Sequence, residues 1–350
     1  MYYFCTYFDQ NYLPRGLALY RSLREHCPEF KLWVLCMDEA THEIMTHLDL
    51  PEVASITLQE FENGDDSLLS AKQNRSQVEY YFTCTPSLPL HVLNHWPEVD
   101  LITYLDADLF FFASPKPLFD ELGADSISII GHRFPPHLRE RERYGIYNVG
   151  WLSFRRDENA LACLQWWRER CIEWCYDREE NGRFADQKYL DDWPNRFKNV
   201  VVLEHKGANL APWNVSNYRL YHDKSGILVD NQPLIVFHFQ GLKMITNWLY
   251  DPSWFEYSVK PSAVLRGKIY AAYLQSLNDV NNTLWQHSID SRDLRGIRYK
   301  MKQQKHLNHL FRDKILRLKK IFRTISKFLK FKYIFVIRQQ GKKSEGKIKR

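Results

Sequence analysis

Over the first 240 residues, short apolar runs alternate with longer stretches whose apolar positions recur at helical spacing. YYFCTYF (2–8), KLWVLCM (31–37), VASITL (53–58) and DLITYLD (100–106) read as strands. The last three are apolar almost throughout, as strands covered on both faces are. Between them, residues 13–26, 40–48 and a longer region over about 67–95 read as helices. SISIIGHR (126–133) and YGIYNVGWLSFRRD (144–157) read as further strands. A helix over 160–177, a short one in ADQKYLDDW stopped by Pro194, and a last apolar strand, PLIVFHF (233–239), follow. This alternation predicts an α/β domain with a largely parallel sheet flanked by helices. Ligands of such sheets gather at the carboxyl ends of the strands, where Asp9, Asp38, Asp106 and Asp108 fall.

The character changes near residue 262 to continuous helical patterning, and from 306 to 337 basic and apolar residues interleave. Leu307, Leu310, Phe311, Ile315, Leu318, Ile321 and Phe322 largely follow the i, i+3, i+4 rule, with Lys and Arg on the other face. The chain therefore divides into a domain over 1–260, a helical extension over 261–305 and a basic amphipathic tail over 306–350. Residues 292–350 hold 21 Lys or Arg and 3 Asp or Glu; with a total of +6, the body carries −12. A tail of this kind suits peripheral attachment to an anionic membrane surface, and no nucleic-acid partner is expected. No run approaches the roughly 20 uncharged residues that cross a bilayer. The seven cysteines are scattered, and the chain opens directly on a strand, which points to reduced thiols in the cytoplasm. Cys171 and Cys175 stand four apart in a helical pattern, but nothing nearby completes a metal site.

Two aspartates one residue apart at the end of a buried strand need an explanation. Their charges repel by several kcal/mol at an effective dielectric near 20, unless one is protonated or a cation binds. Oxygen ligands of this type suit Mg²⁺ or Mn²⁺, which can neutralise a departing diphosphate. The competing explanation is a turn or helix cap, for which Asp is a common choice.

The flanking residues resemble a known family. ITYLDADLFFFASP (102–115) looks like the metal-binding strand of the GT-A nucleotide-sugar glycosyltransferases, in particular the family-8-like group of glycogenin and the bacterial lipooligosaccharide galactosyltransferases. In the expected order, TYFDQNYLPRGLALYRSL (6–23) resembles their nucleotide-binding first strand and loop, and YNVGWLSF (147–154) their Asn-x-Gly segment. ADQKYL (185–190) resembles their Asp-Gln segment and HFQGLK (238–243) their late His-x-x-Gly motif. The resemblance covers about residues 1–250 and leaves out the tail.

The resemblance implies a Rossmann-like mixed sheet, mostly parallel, and a metal-dependent transfer of a sugar from a nucleotide-diphosphate donor, UDP-linked by preference, to a glycan or glycolipid hydroxyl. It implies retention of configuration and a role in bacterial surface polysaccharide or lipopolysaccharide synthesis. Asp106, Asp108 and His238 would hold Mn²⁺ or Mg²⁺. Thr6, Asp9, Tyr12, Asp106, Asn148, Gly150, Gly241 and Lys243 would contact the donor, and Asp186 and Gln187 would flank the reacting sugar. The late Lys243 stands five residues after His238 where the family has six, and MITNW replaces the family's Pro-Trp ending. The basic residue that the family carries shortly before the metal strand is missing from YYFTCTPSL (80–88); the nearest bases, Lys72 and Arg75, are the candidates to replace it. Trp213 beside Asn214 pairs a flat apolar face with an amide, the equipment for contact with an acceptor sugar.

Two other classes compete. An aspartate-nucleophile phosphatase also uses Asp-x-Asp after a strand, but it wants Thr or Val where Phe110 stands. A non-catalytic protein recruited by its basic tail would bind a nucleotide sugar or nucleic acid without turnover.

Overall fold

The computed structural model describes residues 1–246, 249–287 and 334–335. It is a mixed α/β fold whose central sheet is mostly parallel and flanked by helices. In chain order the first half comprises β1 (Tyr2–Phe8), α1 (Leu13–His26), β2 (Phe30–Cys36), α2 (Glu39–Leu48) and β3 (Val53–Thr57). It continues with α3 (Leu58–Glu62), α4 (Asp66–Gln73), α5 (Gln77–Cys84), α6 (Ser87–His95), β4 (Leu101–Leu105), β5 (Leu109–Phe111) and α7 (Lys116–Leu122). The second half has β6 (Ile127–Gly131), β7 (Tyr147–Arg155), α8 (Glu158–Glu173), α9 (Trp193–Arg196), β8 (Val200–Leu203), β9 (Leu220–Asp223) and β10 (Gly226–Val229). The last elements are β11 (Gln232–Pro233), β12 (Val236–His238), β13 (Lys243–Thr246), β14 (Leu249–Asp251), α10 (Ala271–His287) and β15 (Ile334–Phe335).

The central sheet runs β3-β2-β1-β4-β7-β6-β8. The first four strands are parallel, β7 is antiparallel to β4 and β6, and β8 is parallel to β6. Local chemistry sets the boundaries. Asp38 caps α2 through the Thr41 amide at 2.7 Å, and Asp157 caps α8 through Ala160 at 2.9 Å. The region read as one helix over 67–95 is three, because Ser76 and Glu79 form a capping box that starts α5 and Pro86 starts α6. The long aromatic helix ends at Glu173, four residues short of the expected limit.

Two apolar layers cover the sheet. One holds Trp33, Tyr104, Phe154, Trp167 and Trp193, the other Phe4, Leu17, Phe111 and Trp151. A third cluster joins Phe237, Phe239, Tyr250, Trp254, Tyr270 and Tyr273. Residues 265–287, which the sequence places in a helical extension, share these cores: α10 packs on α1, and its Val280 and Leu284 are buried beside Leu13 and Leu17. Of the basic tail, only Ile334–Phe335 lies among the described residues, as β15 paired with β14 and with Ile334 buried in the third cluster. The rest of the tail lies outside them. No helix among the described residues is long and apolar enough to cross a membrane. All seven cysteines are buried and free.

The strand expected over 100–106 stops at Leu105, and after the aspartates the chain resumes as β5, which leaves the main sheet to pair antiparallel with β12. The apolar run over 233–239 is accordingly divided between β11 and β12.

Candidate active site

The β5–β12 register places His238 opposite Leu109, and the Phe239 amide donates to the Asp108 carbonyl at 3.0 Å. A histidine about 130 residues away is thereby brought onto the Asp-x-Asp turn. Ligand atoms of Asp106, Asp108 and His238 all lie within 4.8 Å of one another. His238 Nε2 is 3.0 Å from Asp108 Oδ1 and 3.6 Å from Asp106 Oδ2. It is buried and makes no hydrogen bond of acceptable geometry. A buried nitrogen aimed between two carboxylates without a hydrogen bond fits a divalent cation, and so does the donor set of two hard oxygens and an imidazole.

The electrostatics follow from the crowding. Burial and the Asp108 charge push the Asp106 carboxyl up, whereas the imidazole of His238 holds Asp108 below its usual value despite burial. The two carboxylates raise His238 against the opposing effect of its burial. Tyr104, two residues before Asp106 on the same strand face, donates its hydroxyl to Asp106 Oδ1 at 2.9 Å.

The neighbouring strand completes this wall. The Asp106 amide donates to the Gly150 carbonyl at 3.2 Å, which sets Gly150 of β7 beside the turn. Asn148 Oδ1 accepts from the Gly150 amide at 3.1 Å, while its Nδ2 faces Gln187 Oε1 at 3.4 Å and His132 Nε2 at 3.3 Å. Gln187 donates its amide to the Tyr144 carbonyl at 3.1 Å. Asp186 is 5% exposed and follows Ala185, whose φ is +46°. Burial pushes the Asp186 carboxyl up to about 7, with the Thr85 hydroxyl opposing and the Asp106 charge adding to the rise. His132 is buried against Phe134, ring centroids 4.7 Å apart, and burial pushes it down to about 3, so the ring is neutral. Asp106, Asn148, Asp186, Gln187, Trp213 and His238 all line one cavity of about 400 Å³.

The remaining candidates fall in different places. Asp9 is a turn residue: its carboxylate accepts from the Asn11 and Tyr12 amides at 2.9 and 3.1 Å. Tyr12 is 43% exposed, with the Arg15 guanidinium 4.4 Å from its ring centroid. Thr6 is fully buried in β1, and its hydroxyl lacks a partner among the described residues. Gly241 has φ +75°, a conformation that favours glycine, and Lys243 is exposed at the start of β13. Lys72 and Arg75 are engaged elsewhere. Lys72 pairs with Glu62 at 2.6 Å, and Arg75 stacks on Tyr176 and donates to the Ile172 carbonyl at 2.9 Å. Neither lines the cavity. Trp213 lines it but is 3% exposed, with its indole N–H given to the His132 carbonyl at 3.0 Å. Asn214 is fully buried, its Nδ2 donating to the His132 and Asn209 carbonyls and its Oδ1 accepting from Ala211, so its amide braces the loop.

Sequence reasoning passed over four residues of this region. Tyr104 carried a usable signal, the period-2 spacing to Asp106. His132 stood one residue before the end of a predicted strand. Arg15 lay within a helix pattern, yet its guanidinium donates to the Leu242 carbonyl at 2.6 Å and helps hold the Asp108 carboxyl down. Asn209 sits in an irregular loop and had no signal.

No protein-family model matches the chain. The uncharacterized protein YfnD of Bacillus subtilis (strain 168) is 32% identical over 279 residues, which cover 79% of this chain and 88% of YfnD. The uncharacterized protein YfnF of the same organism is 34% identical over 251 residues, covering 69% of this chain and 82% of YfnF. Among solved structures, the chain is similar to galactosyltransferase LgtC in complex with donor and acceptor sugar analogs, with TM-score 0.46 and 18% identity, covering 70% of this chain and 89% of that one. It is also similar to mouse xyloside xylosyltransferase 1, with TM-score 0.45 and 16% identity, covering 69% and 98% respectively.

Proposed function

We propose that this chain, which belongs to the family of the Bacillus subtilis proteins YfnD and YfnF, is a metal-dependent glycosyltransferase of GT-A type. It moves a sugar from a nucleotide-diphosphate donor, UDP-linked by preference, to a hydroxyl of a glycan or glycolipid in bacterial surface polysaccharide or lipopolysaccharide synthesis. The observation that carries the reading is the convergence of Asp106, Asp108 and His238 on one point, at the rim of a cavity that also contains Asn148, Asp186 and Gln187.

Asp106, Asp108 and His238 would hold Mn²⁺ or Mg²⁺, which when bound supplies positive charge against the diphosphate leaving group. Arg15, anchored on the Leu242 carbonyl and near Asp108, adds fixed positive charge on the same side. The Asn148 and Gln187 amides present polar edges to a sugar, and each is held by a second bond that limits its rotation. Outside the metal group, the buried carboxyl of the cavity is Asp186, raised to about 7 by burial. Retention of configuration, with the departing phosphate oxygen accepting the acceptor hydroxyl's proton, belongs to the same proposal. The aromatic faces of Phe134, Tyr144, Phe184 and Tyr257 on the same cavity suit a saccharide acceptor. Peripheral attachment on the cytoplasmic side of an anionic membrane, through the basic tail, belongs to the same reading. Co-sedimentation with anionic against neutral vesicles tests it.

The deciding experiment screens UDP-, GDP- and CMP-sugars for hydrolysis and transfer with and without Mn²⁺. Turnover should require the cation and disappear in Asp108→Asn with the fold intact; unchanged turnover in that variant overturns the reading.

A further inference from the structure

The structure assigns Asn209 as a positioning residue for His238: its side-chain oxygen accepts from Nδ1 and leaves Nε2 as the nitrogen that meets a cation between Asp106 and Asp108. The inference rests on the metal-site reading above and extends it to a residue that touches no ligand.

Asn209 Oδ1 lies 3.3 Å from His238 Nδ1, and both residues are 1% exposed. An imidazole carries one proton when neutral, so a hydrogen-bond acceptor on Nδ1 selects the tautomer whose other nitrogen is unprotonated. That other nitrogen, Nε2, is the buried atom without a hydrogen bond, 3.0 Å from Asp108 Oδ1 and 3.6 Å from Asp106 Oδ2. Nε2 thus faces two carboxylates across a gap that suits a cation, so the amide orientation serves ligation.

The surroundings hold Asn209 in this role at some conformational cost. Its φ is +51°, in the left-handed region that few side chains occupy, and Asn is among those that tolerate it. Its carbonyl accepts from Asn214 Nδ2 at 3.0 Å. The Leu210 amide donates to the Val236 carbonyl at 3.2 Å, and the His238 amide donates to the Leu210 carbonyl at 2.7 Å, so the loop is stapled along β12. Trp213 meets the imidazole edge-on, with centroids 5.1 Å apart and planes at 76°. The ring plane is therefore set by packing, and Asn209 sets which nitrogen carries the proton.

The test measures Mn²⁺ binding to the full chain without donor, by isothermal titration calorimetry and by the electron paramagnetic resonance signal of free Mn²⁺. Asn209→Gly accepts the positive φ and removes the amide; Asn209→Asp keeps an acceptor oxygen at the same reach. The expected result is a Kd raised roughly 10- to 100-fold in Asn209→Gly, the range for lost outer-shell partners, and restored to within a few-fold in Asn209→Asp. Thermal melts establish that each variant is folded, and Asn209→Ser, whose hydroxyl is too short to reach Nδ1, carries the test if Asn209→Gly does not fold. Wild-type affinity in the Gly or Ser variant overturns the inference, as does weakened binding that Asn209→Asp fails to restore. Absence of any Mn²⁺ binding that Asp108→Asn removes overturns the metal-site reading, and the inference falls with it.

Discussion

A Cβ placed on Gly150 would lie 2.9 Å from Nδ1 of His238 and 2.7 Å from Oδ1 of Asn148. Gly150 therefore lies close against the imidazole, and the space it leaves is occupied by groups with fixed partners: Asn148 on the Gly150 amide and His238 on Asn209. Gly150→Ala must displace one of them. We expect a folded protein destabilised by about 1–3 kcal/mol, the usual cost of overpacking, and a larger proportional loss of cation-dependent turnover. Urea denaturation beside Mn²⁺-dependent donor hydrolysis checks both, and normal turnover would show that the ring position is not critical.

The buried Asp186 and His132 tilt stability in opposite directions with pH. The Asp186 carboxyl is raised to about 7 in the folded protein, so its contribution is full below about 4 and is lost as pH rises through 7. His132 is lowered to about 3, so its contribution is full above about 6.5 and is lost as pH falls toward 3. Between about 4 and 6.5 the two slopes cancel. Asp186→Asn removes the first and leaves the second, so the variant should gain stability with rising pH, relative to wild type, by up to about 1.4 kcal/mol per pH unit. Denaturation curves at several pH values across that window measure the difference, and parallel profiles would refute it.

The strands and most helices were legible because apolar runs and their spacing report burial directly, as in FKLWVLC and LITYL. The cluster of Asp106, Asp108 and His238, which could hold a metal ion, was legible, since carboxylates and a histidine are unusual beside apolar strands and the flanking motifs fixed their order. What escaped depended on partners distant in sequence. Lys72 and Arg75 are the nearest bases in sequence for a diphosphate, but the fold brings Glu62 and Tyr176 to them. Asn214 had the chemistry for a sugar contact, yet its loop folds back so that backbone groups consume both ends of its amide. Asn209 acquires its role only from a φ of +51° and a register between β5 and β12, neither of which a local pattern encodes.

Gly207 connects the loop of Asn209 to β12. A Cβ there would fall 1.9 Å from the Pro233 carbonyl oxygen, and the Gly207 carbonyl accepts from both the Ile235 and Val236 amides at 2.9 and 3.0 Å. The neighbour is backbone and cannot step aside without breaking the entry to β12. Gly207→Ala should cost on the order of 4 kcal/mol or more, well above the common range for single substitutions, and should reduce soluble yield. Thermal melting and expression level test this, and a melt close to wild type would mean that β12 has other means of support.

On the proposed metal-site reading, Asp106 and Asp108 are kept close for a cation at the expense of the empty protein. Like charges with ligand atoms within 4.8 Å repel, and His238, 3.0 Å from Asp108 but 3.6 Å from Asp106, offsets the second aspartate better than the first. Asp106→Asn keeps an oxygen for the Tyr104 hydroxyl and removes one charge. In metal-free buffer the variant should be more stable, because burial and the Asp108 charge together disfavour the Asp106 carboxylate more than His238 favours it. Excess Mn²⁺ should stabilise the wild type by mass action and leave the variant's melting temperature nearly unchanged. The two melting curves, each with and without Mn²⁺, therefore cross over in rank. Equal Mn²⁺ shifts in both proteins would show that Asp106 is not a ligand, and a less stable metal-free variant would show that its charge supports the fold.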